Sequence, residues 1–399
     1  MKSDRSLARS VAFPRVINIH DFRRLAKKRL PAVVFAYIDG GAEDEVTLRE
    51  NVAAFGDITF RPRQCVAVRS CDLRTTVLGE TFELPFLLAP VGFCRMFYPK
   101  GELHAARAAN EAGTGYILST FSGTRLEEVR AATSGPLWFQ LYVPGGRDVA
   151  EATMARAKAA GYTVLVVTID TPMSGMRERD FRHGVRPILQ KDLWGSLPYA
   201  WQFVTRPRWV LDYCADGRPS VFPNVELPGK GAMPCGDVGM ILESTIVTWD
   251  DFRWMRDAWK GPIVVKGVHT GDDAKRAIDA GTQGLVCSNH GGRQLDGVPA
   301  TLRALPEVLD AVNGRIEVLM DGGIRRGGDV VKAIALGAKA VLVGRAYAWA
   351  LGAAGGPGVA RAIDILRTDI VRTLRLLGCP SIRDLDRSYI STDSRHYPR

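Results

Sequence analysis

The 399-residue chain has no CxxC pair among its seven cysteines, no HxH, HExxH or Cys/His cluster, and no charge-free apolar run of 18 residues. Each absence removes a class of protein. Scattered thiols at Cys65, Cys71, Cys94, Cys214, Cys235, Cys287 and Cys379 are expected to stay free rather than form a disulfide framework, and no metal site is expected. Without a long apolar run, no spanning helix is expected. The opening MKSDRSLARSVAFP lacks the apolar stretch of a signal peptide. No GxGxxG follows the first apolar strand, which counts against an open dinucleotide-binding sheet. Acidic residues are outnumbered: 53 Lys and Arg against 43 Asp and Glu leave +10. That excess invites a carboxylate substrate, a phosphate cofactor or an acidic membrane surface. The positive charge is spread and no nucleic-acid motif accompanies it, so a nucleic acid is not an expected partner.

What the chain does have is rhythm. A short apolar strand, a loop and an Ala-rich helix recur eight times. The expected strands are Leu84–Ala89, Gly115–Leu118, Leu137–Leu141, Val164–Ile169, Pro262–Val265, Gly284–Cys287, Glu317–Met320 and Ala340–Val343. Strands this apolar imply a parallel sheet covered on both faces. Eight strand–helix units point to an α/β fold of the closed (β/α)8, or TIM-barrel, type, with the open doubly wound sheet as runner-up. Two or three short helices precede the barrel, over Ile19–Lys28, Ala32–Asp39 and Asp44–Ala54. Gly358–Leu377 has the apolar spacing of a long amphipathic helix. The chain is therefore divided as one domain over 1–399: lead-in 1–83, barrel core 84–357, and C-terminal helix and tail 358–399.

One stretch breaks the rhythm, residues 172–261 between the fourth and fifth strands. Met173–Lys230 carries nine Lys or Arg, six Asp or Glu and eight aromatics, among them Trp194, Trp201, Phe203, Trp209 and Tyr213. A structureless loop of that length is unusual, so a partly helical excursion or lid is expected. Basic and aromatic residues mixed in this way suit a membrane interface. The plainer alternative is packing onto the barrel or a sister subunit.

Barrel enzymes work at the C-terminal ends of their strands. Here those ends carry Gln140 and Tyr142, Thr168 and Asp170, Lys266, Ser288 to Arg293, Asp321 to Arg325, and Gly344 with Arg345. The last two ends suit a phosphate: Gly322, Gly323 and Gly344 let backbone N–H groups approach an anion, and Arg325 and Arg345 add charge. His290, in a Gly-flanked loop, is the candidate general base, with Asp170 to orient it. Arg293 and Arg177 are candidate clamps for a substrate carboxylate. Lys266 suits either a Schiff base or stabilisation of negative charge, which leaves aldolase-type chemistry open at this point.

The strings SNHGGRQLDG (Ser288–Gly297), DGGIRRG (Asp321–Gly327), VKGV (Val265–Val268), FQLY (Phe139–Tyr142) and GGAEDE (Gly40–Glu45), in this order, resemble the flavin mononucleotide (FMN)-dependent L-2-hydroxy acid dehydrogenases and oxidases. The likeness runs from about Asp21 to Ile390 and is nearest to the bacterial L-lactate and L-mandelate dehydrogenase branches. It implies that His290 is the base, Asp170 its orienting carboxylate, and Arg293 and Arg177 the carboxylate clamps, helped by Tyr37. It implies that Tyr142 donates to the substrate oxygen and that Phe121 lines the side-chain pocket. Lys266 would face the flavin N1–C2 edge. Pro90, Val91, Gly92, Ser119, Gln140, Thr168 and Ser288 would touch the flavin, and Asp321, Gly322, Gly323, Arg325, Gly344 and Arg345 the ribityl phosphate.

The same resemblance implies oxidation of an L-2-hydroxy acid to the 2-oxo acid. L-Lactate is the favoured substrate, with L-mandelate, an oxygen-using oxidase or a specialised biosynthetic hydroxy acid enzyme as alternatives. MRERD (Met176–Asp180) resembles the mandelate branch, and DTPMSG (Asp170–Gly175) the lactate branch. In APVGF (Ala89–Phe93), Val91 departs from the usual Thr, and Gly92 stands where many oxidases carry Ala, which leans against fast oxygen reaction. The expected acceptor is a quinone or cytochrome. The expected setting is cytoplasmic, with peripheral contact on the inner face of the cell membrane through the basic aromatic stretch. A homotetramer is expected from the same resemblance.

Overall fold

A computed structural model describes residue 13 and residues 15–189, 192–243 and 246–392. The ends of the lead-in and tail, 1–12 and 393–399, lie outside the described residues. Eight strands, β1 (Phe86–Leu88), β2 (Tyr116–Ser119), β3 (Leu137–Leu141), β4 (Val164–Thr168), β5 (Ile263–Val268), β6 (Gly284–Cys287), β7 (Glu317–Asp321) and β8 (Ala340–Val343), close into one barrel. Every neighbouring pair is parallel, and β8 returns to β1 through Leu342 opposite Leu87. This is the (β/α)8 architecture expected from the sequence. β5 alone runs well past its expected end. Lys266 continues the ladder, opposite Thr168 on one side and Val286 on the other.

Strand alternation explains how a barrel that is apolar inside carries a polar top. Leu87, Ile117, Trp138, Val166, Val264, Val286, Leu319 and Leu342 form one buried inner cluster. Two residues further along each strand the same inward face reaches Ala89, Ser119, Gln140, Thr168, Lys266, Ser288, Asp321 and Gly344. The ring of functional groups is the top layer of the barrel interior.

The opposite end is stoppered. The hairpin of Thr75–Val77 and Glu80–Phe82 tucks Val77 and Phe82 into the inner cluster. Its backbone N–H at Leu78 donates to Glu317, and the Trp138 indole donates to Glu80 at 2.7 Å.

Before the barrel, helix Ile19–Arg29 starts at a reciprocal cap in which Asn18 accepts from the Asp21 N–H and Asp21 accepts from the Asn18 N–H. Helices Ala32–Asp39 and Val46–Ala53 follow; the latter starts two residues later than expected, after Glu45 turns left-handed. At the other end, Arg345–Leu377 is two helices joined at Ala354 and Gly355, whose backbone is non-helical. The second carries the expected stripe, with Val359, Ile363, Leu366, Ile370, Leu374 and Leu377 buried and Val371 half-buried. No helix among the described residues is long and apolar enough to cross a membrane.

The stretch 172–261 is only partly helical. Short helices such as Glu178–Arg182 and Pro207–Ala215 lead to an antiparallel hairpin, Val221–Leu227 with Gly231–Pro234. Its last element, helix Asp251–Trp259, packs beside helix Arg147–Ala159 and is the barrel's own link into β5. The aromatics divide into a buried and an exposed set. Trp209 is buried, donates to the Met96 carbonyl at 2.8 Å and stacks on Tyr213. Trp194 and Trp201 are 85% and 72% exposed, beside exposed Leu197, Val204 and Leu211. All seven cysteines are free.

Candidate active site

A cavity of about 2110 Å³ opens at the C-terminal ends of the strands and runs outward under residues 172–243. It is lined by Tyr37, Pro90, Val91, Gly92, Ser119, Phe121, Tyr142, Asp170, Arg177, Lys266, His290, Arg293, Asp321, Gly322, Gly323, Arg325, Gly344 and Arg345. Of the residues singled out in the sequence, Gln140, Thr168 and Ser288 do not line it. They stand directly behind, buried in the inner ring.

His290 is held in a left-handed backbone, φ 57°, at the head of three successive positive-φ residues with Gly291 and Gly292. Its N–H donates to Ser288 Oγ at 3.1 Å. Its Nδ1 lies 3.1 Å from Asp170 Oδ1, and its Nε2 3.5 Å from the Tyr142 hydroxyl. Burial lowers the imidazole below its usual range, against the opposing pull of Asp170. The ring is therefore neutral near pH 7. With Nδ1–H given to Asp170, Nε2 is an acceptor beside the Tyr142 hydroxyl. Burial opposes but does not outweigh the imidazole and Lys266, which keep Asp170 ionised below the usual carboxylate range. Asp170 also requires a glycine beside it: at Gly267, φ 107°, a Cβ would meet Asp170 Cγ at 2.7 Å.

Two guanidiniums flank Tyr37. Arg293 donates to the carbonyls of Tyr37 at 2.6 Å and Gly40 at 3.1 Å and lies 4.9 Å over the Tyr37 ring. Arg177 lies 5.8 Å from the same ring and 3.4 Å from Asp180. Phe121 stacks on Tyr142 at 4.9 Å and is backed by Phe222 from the hairpin. Behind Phe121, Gly92 leaves little slack; a Cβ there would sit 3.2 Å from Phe121.

Several groups lack the partner that their burial demands. Gln140 Nε2, Thr168 Oγ1, Asp321 Oδ1 and Arg345 Nε are buried with no hydrogen-bond partner. Lys266 donates to Ser288 Oγ at 3.0 Å and pairs with Asp321 at 2.9 Å. Burial alone would lower it, but Asp321 and Asp170 hold it charged. Arg345 gives its outer nitrogens to the carbonyls of Gly291 and Gly40. Arg325 donates to the Ile324 carbonyl and lies 4.6 Å over Trp349. Among the described residues neither arginine forms an ion pair. Burial pulls Arg325 down to about 10 and Arg345 well below its usual range. A buried and a half-buried cation without an ion-paired carboxylate, beside the N-termini of helices Gly327–Leu336 and Arg345–Leu377, call for a dianion such as a phosphate. Gly323 completes the cradle. At φ 80° a Cβ would lie 1.8 Å from the Asn51 carbonyl, so only glycine fits. Unpaired polar atoms around an inner ring, with a phosphate cradle at its edge, fit FMN.

Sequence reading missed three contributors. Asn51 and Asn289 exchange amide hydrogen bonds at 2.9 Å, tying helix Val46–Ala53 to the His290 loop. Asp180, inside the MRERD string, is buried against Arg177. Phe222 comes from the hairpin. Only the middle one had a local signal.

The family description "FMN-dependent dehydrogenase" matches residues 26–392. An L-lactate dehydrogenase of Caulobacter sp. (strain K31) is 43% identical over 380 residues, 94% of this chain and 98% of that protein. An L-lactate oxidase of Nostoc sp. is 41% identical over 378 residues, 94% and 98% of the two chains. Among solved structures, a monotopic membrane (S)-mandelate dehydrogenase superimposes with a TM-score of 0.89 at 37% identity, covering 95% of this chain and all of that one. A mandelate oxidase superimposes at 0.78 with 34% identity, covering 94% of this chain and 98% of that one.

Proposed function

The chain belongs to the FMN-dependent dehydrogenase family and oxidises an L-2-hydroxy acid with FMN as cofactor, and we propose that its substrate is a bulky, mandelate-type hydroxy acid rather than L-lactate. The carrying observation is apolar lining outside the strand ends, since the cavity of about 2110 Å³ takes FMN as well as substrate. Val33, Val34, Met96 and Phe203 line it together with Phe121 and Tyr142. The (S)-mandelate enzymes among the structural relatives add to this reading. It replaces the preference for L-lactate drawn from the DTPMSG string, all six residues of which line the cavity.

FMN, when bound, accepts two electrons from the substrate's C2 carbon. The chain supplies the rest. Arg177 and Arg293 grip the carboxylate by charge-assisted bonds, with the Tyr37 ring between them. Tyr142 donates to the C2 oxygen, and its ring stacks with Phe121 against the side chain. His290 Nε2 takes a proton from the C2 centre or its hydroxyl, and Asp170 stabilises the imidazolium that results. Lys266 holds a positive charge on the cavity floor, where electron density accumulates. Ser119, Gln140, Thr168 and Ser288, with Pro90, Val91 and Gly92, would hold the ring system. Gly322, Gly323, Arg325, Gly344 and Arg345 would hold the ribityl phosphate, and Asp321, paired with Lys266, would accept from the ribityl hydroxyls.

The acceptor proposed is a membrane quinone or a cytochrome. Exposed Trp194, Leu197, Trp201, Val204 and Leu211 form an apolar face that suits peripheral contact with the inner face of the cell membrane. A homotetramer is proposed from the family alone and is tested by light scattering of the holoenzyme. The decisive assay is anaerobic bleaching of the visible flavin band by (S)-mandelate and by L-lactate, followed by admission of air. Faster bleaching by (S)-mandelate with slow recovery in air supports the reading. Faster bleaching by L-lactate restores lactate as the substrate, and fast recovery in air makes the protein an oxidase.

A further inference from the structure

The two clamp arginines are accompanied by a third charge. Asp180 is 4% exposed, faces the same cavity, and lies 3.4 Å from Arg177 Nε. It is also within electrostatic reach of Arg293 and the Tyr37 hydroxyl. Arg345 shares the Gly40 carbonyl with Arg293 but belongs to the phosphate cradle, and the other charges on this side pair among themselves. Arg23 and Arg179 both pair with Asp39, and Arg179 pairs as well with Glu45. Arg177 and Arg293 less Asp180 therefore leave one positive charge in the clamp.

We propose that Asp180 is a specificity-determining residue that sets the clamp to a single carboxylate. It engages Arg177 at Nε, which leaves that guanidinium's outer edge for substrate, and its own negative charge repels a second carboxylate. The site thereby takes 2-hydroxy monocarboxylates and rejects 2-hydroxy dicarboxylates. Selection by repulsion of the wrong ligand is a general route to specificity. The inference rests on the reading of Arg177 and Arg293 as the carboxylate clamp. Desolvation of the buried carboxyl is the cost of keeping Asp180 there, and burial indeed pushes it above the usual carboxylate range.

The test uses pyruvate and oxaloacetate, which share a 2-oxo acid head and differ by one carboxylate. Dissociation constants are read from the perturbation of the bound flavin spectrum, without turnover. The wild-type holoenzyme should favour pyruvate by at least about tenfold at low salt, and Asp180→Asn should narrow that ratio by about tenfold or more. Asp180→Glu, which keeps the charge, should retain the preference and shows whether a loss in Asp180→Asn reflects folding or charge. A ratio unchanged in flavin-loaded Asp180→Asn, or no wild-type preference, overturns the proposal. Arg177→Met separates the two ideas. If it leaves pyruvate binding intact, the clamp reading itself fails; if it abolishes binding while Asp180→Asn keeps the ratio, only the role of Asp180 fails.

Discussion

Asp170→Asn tests the chemistry of the site most directly. His290 Nδ1 and Asp170 Oδ1 are 3.1 Å apart, and the pair is half-buried at the edge of the cavity. When His290 takes a proton, a neutral ring beside a carboxylate becomes an ion pair. At an effective dielectric of about 20, unit charges about 4 Å apart attract by about 4 kcal/mol. That corresponds to about three decades in rate. An asparagine oxygen still accepts the Nδ1–H bond, so the expected loss in flavin bleaching rate is about 10²- to 10³-fold, with FMN still bound. The pH dependence has a fixed sign. His290 acts in its neutral form, so bleaching rises with pH through the ring's pKa, which burial has lowered and Asp170 partly restores. Removing the carboxylate lowers that pKa further, and the acid limb should move to lower pH. The relative loss is therefore smaller in acid than on the alkaline plateau. Stopped-flow mixing of oxidised enzyme with substrate under anaerobic conditions, at a series of pH values, measures both. A loss below tenfold, or an acid limb displaced upward, would refute the assignment of Asp170 and His290 as one proton-accepting unit.

Arg345→Met should act in opposite directions on two readouts: FMN dissociation should rise about 10- to 100-fold, as for loss of a charge-assisted contact, while the apoprotein should melt higher, because a half-buried cation without an ion-paired carboxylate is costly. A fall in the apoprotein melting temperature would contradict that account. Trp194→Ser combined with Trp201→Ser should leave the thermal melt nearly unchanged, since both side chains are mostly exposed, and should shift the protein from sedimented membranes to the supernatant; unchanged partition would remove the membrane reading.

The barrel was legible because its strands are short apolar runs that nothing else in the chain imitates. The gathering of the candidate site was legible for a related reason: His290, Lys266, Asp170 and Arg345 sit at strand ends, where sequence position and spatial position coincide. The gaps have physical causes. Asn51 meets Asn289 across 238 residues of sequence, and no local pattern in helix Val46–Ala53 announces an amide pair. The hairpin that supplies Phe222 was invisible because its strands carry Pro223 and Pro234, residues that sequence reading assigns to loops. Helix Asp251–Trp259 was absorbed into the irregular stretch because that stretch was measured strand to strand. Lys266 was expected just past the end of β5, but the strand runs three residues further, to Val268, because a lysine and a glycine interrupt its apolar run without ending the ladder.

The stopper hairpin has a kinetic consequence. With Val77 and Phe82 filling the base of the barrel and Trp138 anchored to Glu80, ligand traffic runs through the mouth at the other end. On the function proposed above, substrate, 2-oxo acid product and electron acceptor all use that one mouth. They must therefore come in turn. Product has to leave before the acceptor draws near, and initial rates at several fixed acceptor concentrations should give parallel double-reciprocal lines, the signature of a two-stroke cycle set by the architecture of the barrel.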